Sequence, residues 1–267
     1  MSKLKPNQFT LPSGAVITEI PLLFQGEMIR ANLEDRKNQT RRTRGLDLIN
    51  ENPDELYRSK LFVCADGTLR LEGSIRGKGY GWISKSPYGQ PGDLLWVRET
   101  FCEWMGMYQY RSDTTDNESI APWKPSIHMP KDASRLWLMV EEIRVERLQD
   151  ITEEDAIAEG IDRFYSDLFK EWRYRDYFDG KRRTKAFSKF PKMAKLTGFG
   201  SMPWPDWRDP LSSFNSLWIS INGQASWDAN PWVWVIRYRL LSKTGRPSMD
   251  VIEKNYLEVT GKEVPSV

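Results

Sequence analysis

Histidine and cysteine are nearly missing from this chain. His128 is the single histidine, and Cys64 and Cys102 are the two cysteines, in 267 residues. A histidine-rich zinc site has no ligands to draw on, and a serine-protease-like triad would depend on His128 alone. Two cysteines so far apart in sequence form neither a disulfide framework nor a metal-ligand cluster, as expected of a protein in a reducing compartment. No apolar run is long enough to span a bilayer, and Met1–Gln8 lacks the apolar centre of a secretory signal. The expected location is therefore the cytoplasm, with no membrane partner. Neither GxGxxG nor the phosphate-binding P-loop occurs, which removes the usual supports for dinucleotide and nucleoside triphosphate chemistry.

Aromatics, by contrast, are abundant: 12 Trp, 11 Phe and 10 Tyr, with 39% hydrophobic residues overall, which excludes a disordered chain. The formal net charge of +2 conceals local excesses. Between Arg163 and Arg208 twelve Lys/Arg face five Asp/Glu, and Arg30–Arg44 holds a second basic concentration. Such patches point to polyanions, phosphate backbones above all, although a solvated basic face accounts equally well for the charge alone.

Local patterns predict a strand over 17–24, then a helix to about Asp35. Asp66-Gly67 marks a hairpin-like turn, and Pro91-Gly92-Asp93 a turn before a buried strand at Leu94–Val97. A proline-punctuated loop over 111–132 precedes a long strand at 135–145. Thr152-Glu153-Glu154-Asp155 has capping-box form and Gly160 provides the stop of a short helix. Residues 163–210 are expected to be an insertion rather than core. A helix follows at 211–221. In the strand 232–240, Trp232, Trp234, Ile236 and Tyr238 share one face, with Val233, Val235, Arg237 and Arg239 on the other. The last expected helix is 249–259. Few helices among separated strands give an α+β fold around a small barrel or curled sheet.

Among chemically capable residues, Lys37 follows Ile29 and Leu33 at four-residue steps. If the helix continues so far, its ammonium ends an apolar stripe, where partial desolvation suits a lysine base. Thr40 could serve as nucleophile beside such a base, and Arg42 could fork onto a phosphate or carbonyl. On spacing alone, a solvent-directed Lys37 is the better account. Lys181-Arg182-Arg183-Thr184 has the same Lys-x-x-Thr form without the following arginine. Glu159, at the C-terminal end of the Thr152 helix, faces the negative pole of the dipole, which nudges a carboxyl pKa upward; an ordinary exposed glutamate is the plainer reading. Glu99 is a strand-end acid. No tight carboxylate cluster for a metal is visible, and no cofactor is expected.

Lys37-x-x-Thr40-x-Arg42 resembles the N-terminal signature of ASCH domains, a PUA-like β-barrel superfamily. The likeness extends through Gly92-Asp93, the strand 136–145, the helix 152–160 and the strand 232–238. The runs Pro87–Phe101, Lys124–Met129, Val145–Asp150 and Ser226–Ile236 are similar to phage and prophage proteins of this type. The resemblance implies a PUA-like small β-barrel with flanking helices. It would occupy residues 1–240, with insertions at about 44–86 and 163–210, followed by a helical tail over 241–267. It also implies binding of RNA, another nucleic acid or a modified nucleoside in a bacterial host cytoplasm. From the small family members that hydrolyse N4-acetylcytidine, it implies a catalytic set of Lys37 as base, Thr40 as nucleophile and Glu159 as proton carrier. Arg42, Gly92, Asp93 and Glu99 would bind substrate, while Arg41, Arg173, Arg175, Lys181, Arg182, Arg183 and Lys185 would contact nucleic acid. The alternatives are an amidohydrolase of N4-acylated cytidine-like substrates and a non-catalytic phage protein that binds a host factor. One departure stands out: the family has glycine two residues before the lysine, and here Asp35, whose carboxylate could pair with Lys37, takes its place.

Overall fold

The computed structural model describes residues 4–262 apart from 52, 57–59, 73–80, 115–118, 168, 178–205 and 208. The chain is α+β and divides into two compact units, 1–146 with 232–267, and 147–231. Among the described residues no helix is long and apolar enough to cross a membrane.

In the first unit the elements are β1 (Gln8–Thr10), β2 (Val16–Leu23), α1 (Gly26–Leu33), β3 (Gln39–Arg42), α2 (Asp47–Asn50), β4 (Lys60–Val63), β5 (Thr68–Glu72) and β6 (Gly81–Lys85). They continue with β7 (Leu94–Arg98), the hairpin β8 (Phe101–Trp104) and β9 (Met107–Tyr110), and β10 (Trp137–Arg147). The second unit holds α3 (Glu153–Ala158), β11 (Arg163–Ser166), β12 (Glu171–Arg175), β13 (Asp206–Trp207), α4 (Pro210–Asn222) and α5 (Gln224–Asp228). The chain then returns to the first unit with β14 (Trp232–Ser242) and α6 (Met249–Thr260).

The main sheet runs β1-β2-β7-β10-β14-β3, with β2 and β7 parallel and β14 antiparallel to β3. One face carries Leu22, Leu95, Leu138, Val140, Trp234, Ile236 and Tyr238 under Ile29 of α1 and Ile49 of α2. The other face carries Ile17, Leu94, Trp137 and Met139 under Ile252 and Tyr256 of α6. Along β10 the alternation slips by one residue: Leu138 and Val140 lie on the first face, and so do Ile143 and Val145. A β-bulge has this effect, re-aiming every side chain beyond it.

The sheet is curled without closing. Four inter-strand steps of ~4.8 Å separate β2 from β3 in a flat sheet, roughly 19 Å. Arg42 at the end of β3 nevertheless donates from Nη2 to the carbonyl of Leu23 at the end of β2, at 2.7 Å. One side chain bridges that gap only if the sheet bends back on itself. Among the described residues no ladder joins β3 to β1 or β2, and the sheet is curled, one of the two forms expected.

The helix after β2 ends earlier than the apolar stripe suggests. Asp35 adopts a left-handed φ of 57°, and the Arg36 amide donates back to the Ala31 carbonyl at 2.8 Å. This is the hydrogen bonding of a left-handed helix stop, so Lys37 lies beyond the helix rather than on its face. Lys37 therefore does not end a helical apolar stripe, and residues 39–42 form a strand. The other elements fall close to their predicted positions, and the Thr152 hydroxyl caps α3 by accepting from the Asp155 amide at 3.2 Å.

The second unit has structure of its own: β11-β12-β13 form a sheet, and α3 packs on α4. Asp209 caps α4 through the Ser212 amide at 2.7 Å, with Pro210 in the first turn. The Ser213 hydroxyl of α4 donates to the Arg175 carbonyl at 2.7 Å, tying helix to sheet.

Gly92 shows how tightly the C-terminal helix is seated. Its φ is 94°, and a Cβ there would stand 2.6 Å from the Tyr256 ring. Gly14 has a similar φ of 83° with nothing within 4 Å. Gly14→Ala should therefore cost about 1–2 kcal/mol from backbone strain alone, and Gly92→Ala about 2–4 kcal/mol from strain plus overpacking. Urea unfolding of the two variants measures the difference, which should be clear of error and of this sign.

Candidate functional site

Where β2 ends and β3 begins its run, two cations converge on one buried aromatic ring. Lys37 is 3% exposed, donates from Nζ to the Gln39 carbonyl at 2.6 Å and stands 5.5 Å from the centre of the Phe24 ring. The Arg42 guanidinium lies 5.4 Å from the same ring. The negative face of an aromatic ring attracts cations, most strongly where water is excluded. Tyr238 flanks Phe24 at 6.3 Å, and its hydroxyl donates to Asn32 Oδ1 at 3.0 Å.

Strand parity explains why these groups meet. Thr40 pairs with Ile236 and Arg42 with Trp234, so both point to the face that carries Phe24 and Tyr238. Thr40 is 1% exposed, and its hydroxyl makes no hydrogen bond among the described residues. The Asp35 carboxylate is engaged elsewhere: Lys243 Nζ donates to it at 2.6 Å and also to the Leu33 carbonyl at 2.7 Å. The anticipated Asp35–Lys37 competition is thus answered by a different lysine. Asp35 also occupies a backbone conformation that glycine takes without cost and aspartate tolerates.

Arg41, one residue on, points to the opposite face, where its buried guanidinium pairs with Glu146 at 2.5 Å. It is held in an internal ion pair. Glu146 is brought to that face by the slip in β10.

Gly92 and Asp93 serve the architecture. Asp93 is buried, and its carboxylate accepts from the amides of Thr18 at 2.8 Å and Gln90 at 3.0 Å. Burial raises its pKa above the ordinary carboxylate value, although those two amide bonds pull the other way. Glu99 is likewise internal: Arg135 forks onto it at 2.8 and 3.1 Å, and the Ser112 hydroxyl donates to it at 2.5 Å. Burial pulls the Arg135 pKa down, but hydrogen bonds to Glu99 and Asp113 outweigh it and hold the guanidinium above its usual value. Gly92 and Asp93 thus lie in a turn, and Glu99 in a buried ion-pair network.

Glu159 belongs to the second unit. It follows the last residue of α3, is 4% exposed, and precedes Gly160 at φ 84°, so the predicted position holds while the expected exposure does not. In the same unit Arg173 is buried, pairs with Glu171 at 2.7 Å and stacks 4.3 Å over Phe169; Arg175 pairs with Asp162 at 2.8 Å. Both make ion pairs within their own unit. Lys181, Arg182, Arg183 and Lys185 lie outside the described residues.

Phe24, Tyr88 and Tyr238 complete the site and were not singled out from sequence as site residues. Phe24 and Tyr88 carried one signal, an aromatic beside a glycine-containing turn (Gln25-Gly26 and Gly89). Among the described residues no three His, Cys, Asp or Glu cluster as metal ligands. No family model matches the chain, and no curated protein or solved structure matches it.

The raised Asp93 pKa fixes a direction for pH dependence. A carboxyl whose native pKa exceeds its unfolded value binds its proton more tightly when folded. Its stabilising increment is full below the unfolded pKa of about 4 and is lost as pH rises through the raised native value. Carbon-detected titration of the Asp93 carboxyl should place its midpoint above that of the exposed aspartates. An unshifted midpoint would contradict the burial argument.

Proposed function

We propose that the first unit is an open, PUA-like ASCH-type domain that binds a nucleobase-bearing polyanion, RNA or a modified nucleotide, at Phe24, Lys37, Thr40 and Arg42. The convergence of Lys37 and Arg42 on the buried Phe24 ring carries this reading. It supplies a flat apolar wall for a base, a hydroxyl without a protein partner, and positive charge for a phosphate or carbonyl. Supporting it are the curled sheet, the Lys37-x-x-Thr40-x-Arg42 spacing, and the left-handed Asp35 where the resembled family has glycine.

The test is anisotropy of labelled single-stranded RNA and DNA oligomers against wild type, Lys37→Ala and Arg42→Ala. Binding should weaken at least tenfold in each variant and fall steeply with salt, because every neutralised phosphate releases counterions. Undetectable binding at low salt, or binding indifferent to salt, rejects the reading.

A second reading, hydrolysis of an N4-acylated cytidine, is favoured by the burial of both Lys37 and Thr40. Desolvation helps a lysine shed its proton and so act as a base toward the threonine hydroxyl. Purified protein incubated with N4-acetylcytidine should release acetate, and Lys37→Ala and Thr40→Ala should each abolish release. Turnover retained in both variants dismisses that catalytic set, and no turnover in wild type leaves binding as the function.

A further inference from the structure

Beside the Phe24 cluster lies a second basic feature that neither the Lys-x-x-Thr-x-Arg spacing nor the family resemblance includes. Arg44 follows β3 by two residues, is exposed, and makes no ion pair among the described residues. Its backbone is nonetheless firmly held. Gly45, at φ 85°, packs so that its Cβ position is 3.4 Å from Pro87, and Leu46 and Ile49 are 1% exposed in the core. The Asn50 side chain then clasps the start of β14 twice, donating to the Trp232 carbonyl at 3.0 Å and accepting from the Trp232 amide at 2.7 Å.

The contact at Pro87 brings this loop against the turn that bears Tyr88. That turn is fixed too: the Tyr88 amide donates to Ser86 Oγ at 3.1 Å, and Asp93 accepts from the Gln90 amide. Tyr88 is 7% exposed, with its ring in the same core as Phe24. Its hydroxyl makes no hydrogen bond among the described residues, yet it is not sealed from solvent. Burial raises the Tyr88 pKa while the charges of Arg42 and Arg44 lower it, so both guanidiniums act on this phenol, which stays protonated and able to donate at neutral pH.

We infer that Arg44, the Tyr88 hydroxyl and Arg42 form a phosphate subsite at the rim of the base site, making the ligand a nucleotide rather than a free nucleoside. This rests on the reading of Phe24, Lys37 and Thr40 as a base site. A guanidinium fork and a phenolic donor on rigid backbone match the acceptor oxygens of a phosphate, and the exposed arginine pays no desolvation penalty before binding. A free nucleoside monophosphate and a phosphate within a strand present the same chemistry, and the experiment separates them.

The measurement is oligomer binding as a function of salt between about 50 and 200 mM, using the full chain and mixed-sequence single-stranded RNA. Arg44→Ala should flatten the slope of log affinity against log salt by about 0.7, the loss of one single-strand phosphate contact. Arg44→Lys keeps the charge and should keep the slope while weakening binding. Tyr88→Phe preserves the ring and should weaken binding several-fold at unchanged slope. As competitors, the four nucleoside 5′-monophosphates should outperform the four nucleosides if a terminal phosphate suffices. If only strands compete, the phosphate read is the internal one, which the unchanged subsite also accommodates. Binding by wild type with an unaltered slope in Arg44→Ala overturns the subsite and leaves the base site standing. No binding of any oligomer or nucleotide overturns both.

Discussion

The first unit depends on one bridge: the Arg42 guanidinium that spans from β3 to the end of β2, lying against Phe24 while donating to the Leu23 carbonyl. With the contact of Lys37 on Phe24, it joins strands four places apart in the sheet order. The bridge accompanies the curl of the sheet, and Lys37, Thr40 and Tyr238 gather on the buried face beside it. Fold and candidate site thus share an interaction, and a charge placed against an aromatic ring serves both.

Buried charge elsewhere in this unit is handled by pairing. Glu99 is enclosed by Arg135 and Ser112, and Arg41 by Glu146; Glu19, also buried, receives Arg246 at 2.8 Å and Lys131. Removing one member of such a pair strands the other in a low-dielectric setting, which is why these residues read as architecture. The Phe24 cluster sets two positive side chains around one ring. Arg44 extends that positive character to the rim.

Much of the fold was legible because it follows periodicity. The β14 alternation of Trp232, Trp234, Ile236 and Tyr238, the capped start of α3 and the turn before β7 all depend on neighbours in sequence. What sequence could not supply was tertiary. The left-handed stop at Asp35 overrode the Ile29–Leu33–Lys37 stripe, and the four-residue β3 is too short for its pattern to announce itself. Local charge likewise could not separate Arg42, facing the core cluster, from Arg41, facing Glu146: adjacent strand residues point to opposite sides, and only the pairing with β14 fixes which is which. Asp93 and Glu99 looked functional because buried acids and active-site acids share the same neighbours in sequence, turns and strand ends. Phe24 was invisible as a site residue because its importance comes from the curl.

The strand that carries Thr40 and Arg42 is also the terminal strand of its sheet, laddered among the described residues to β14 alone. Two donors in this pairing, Gln39 Nε2 and Trp234 Nε1, are enclosed without acceptors, each at an expense of about 1–3 kcal/mol. A short outermost ladder with unsatisfied groups is the cheapest part of a sheet to part from its neighbour. Brief parting of β3 from β14 is therefore the expected local opening of this sheet. Amide hydrogens of 39–42 would then exchange well ahead of those in β7 and β10.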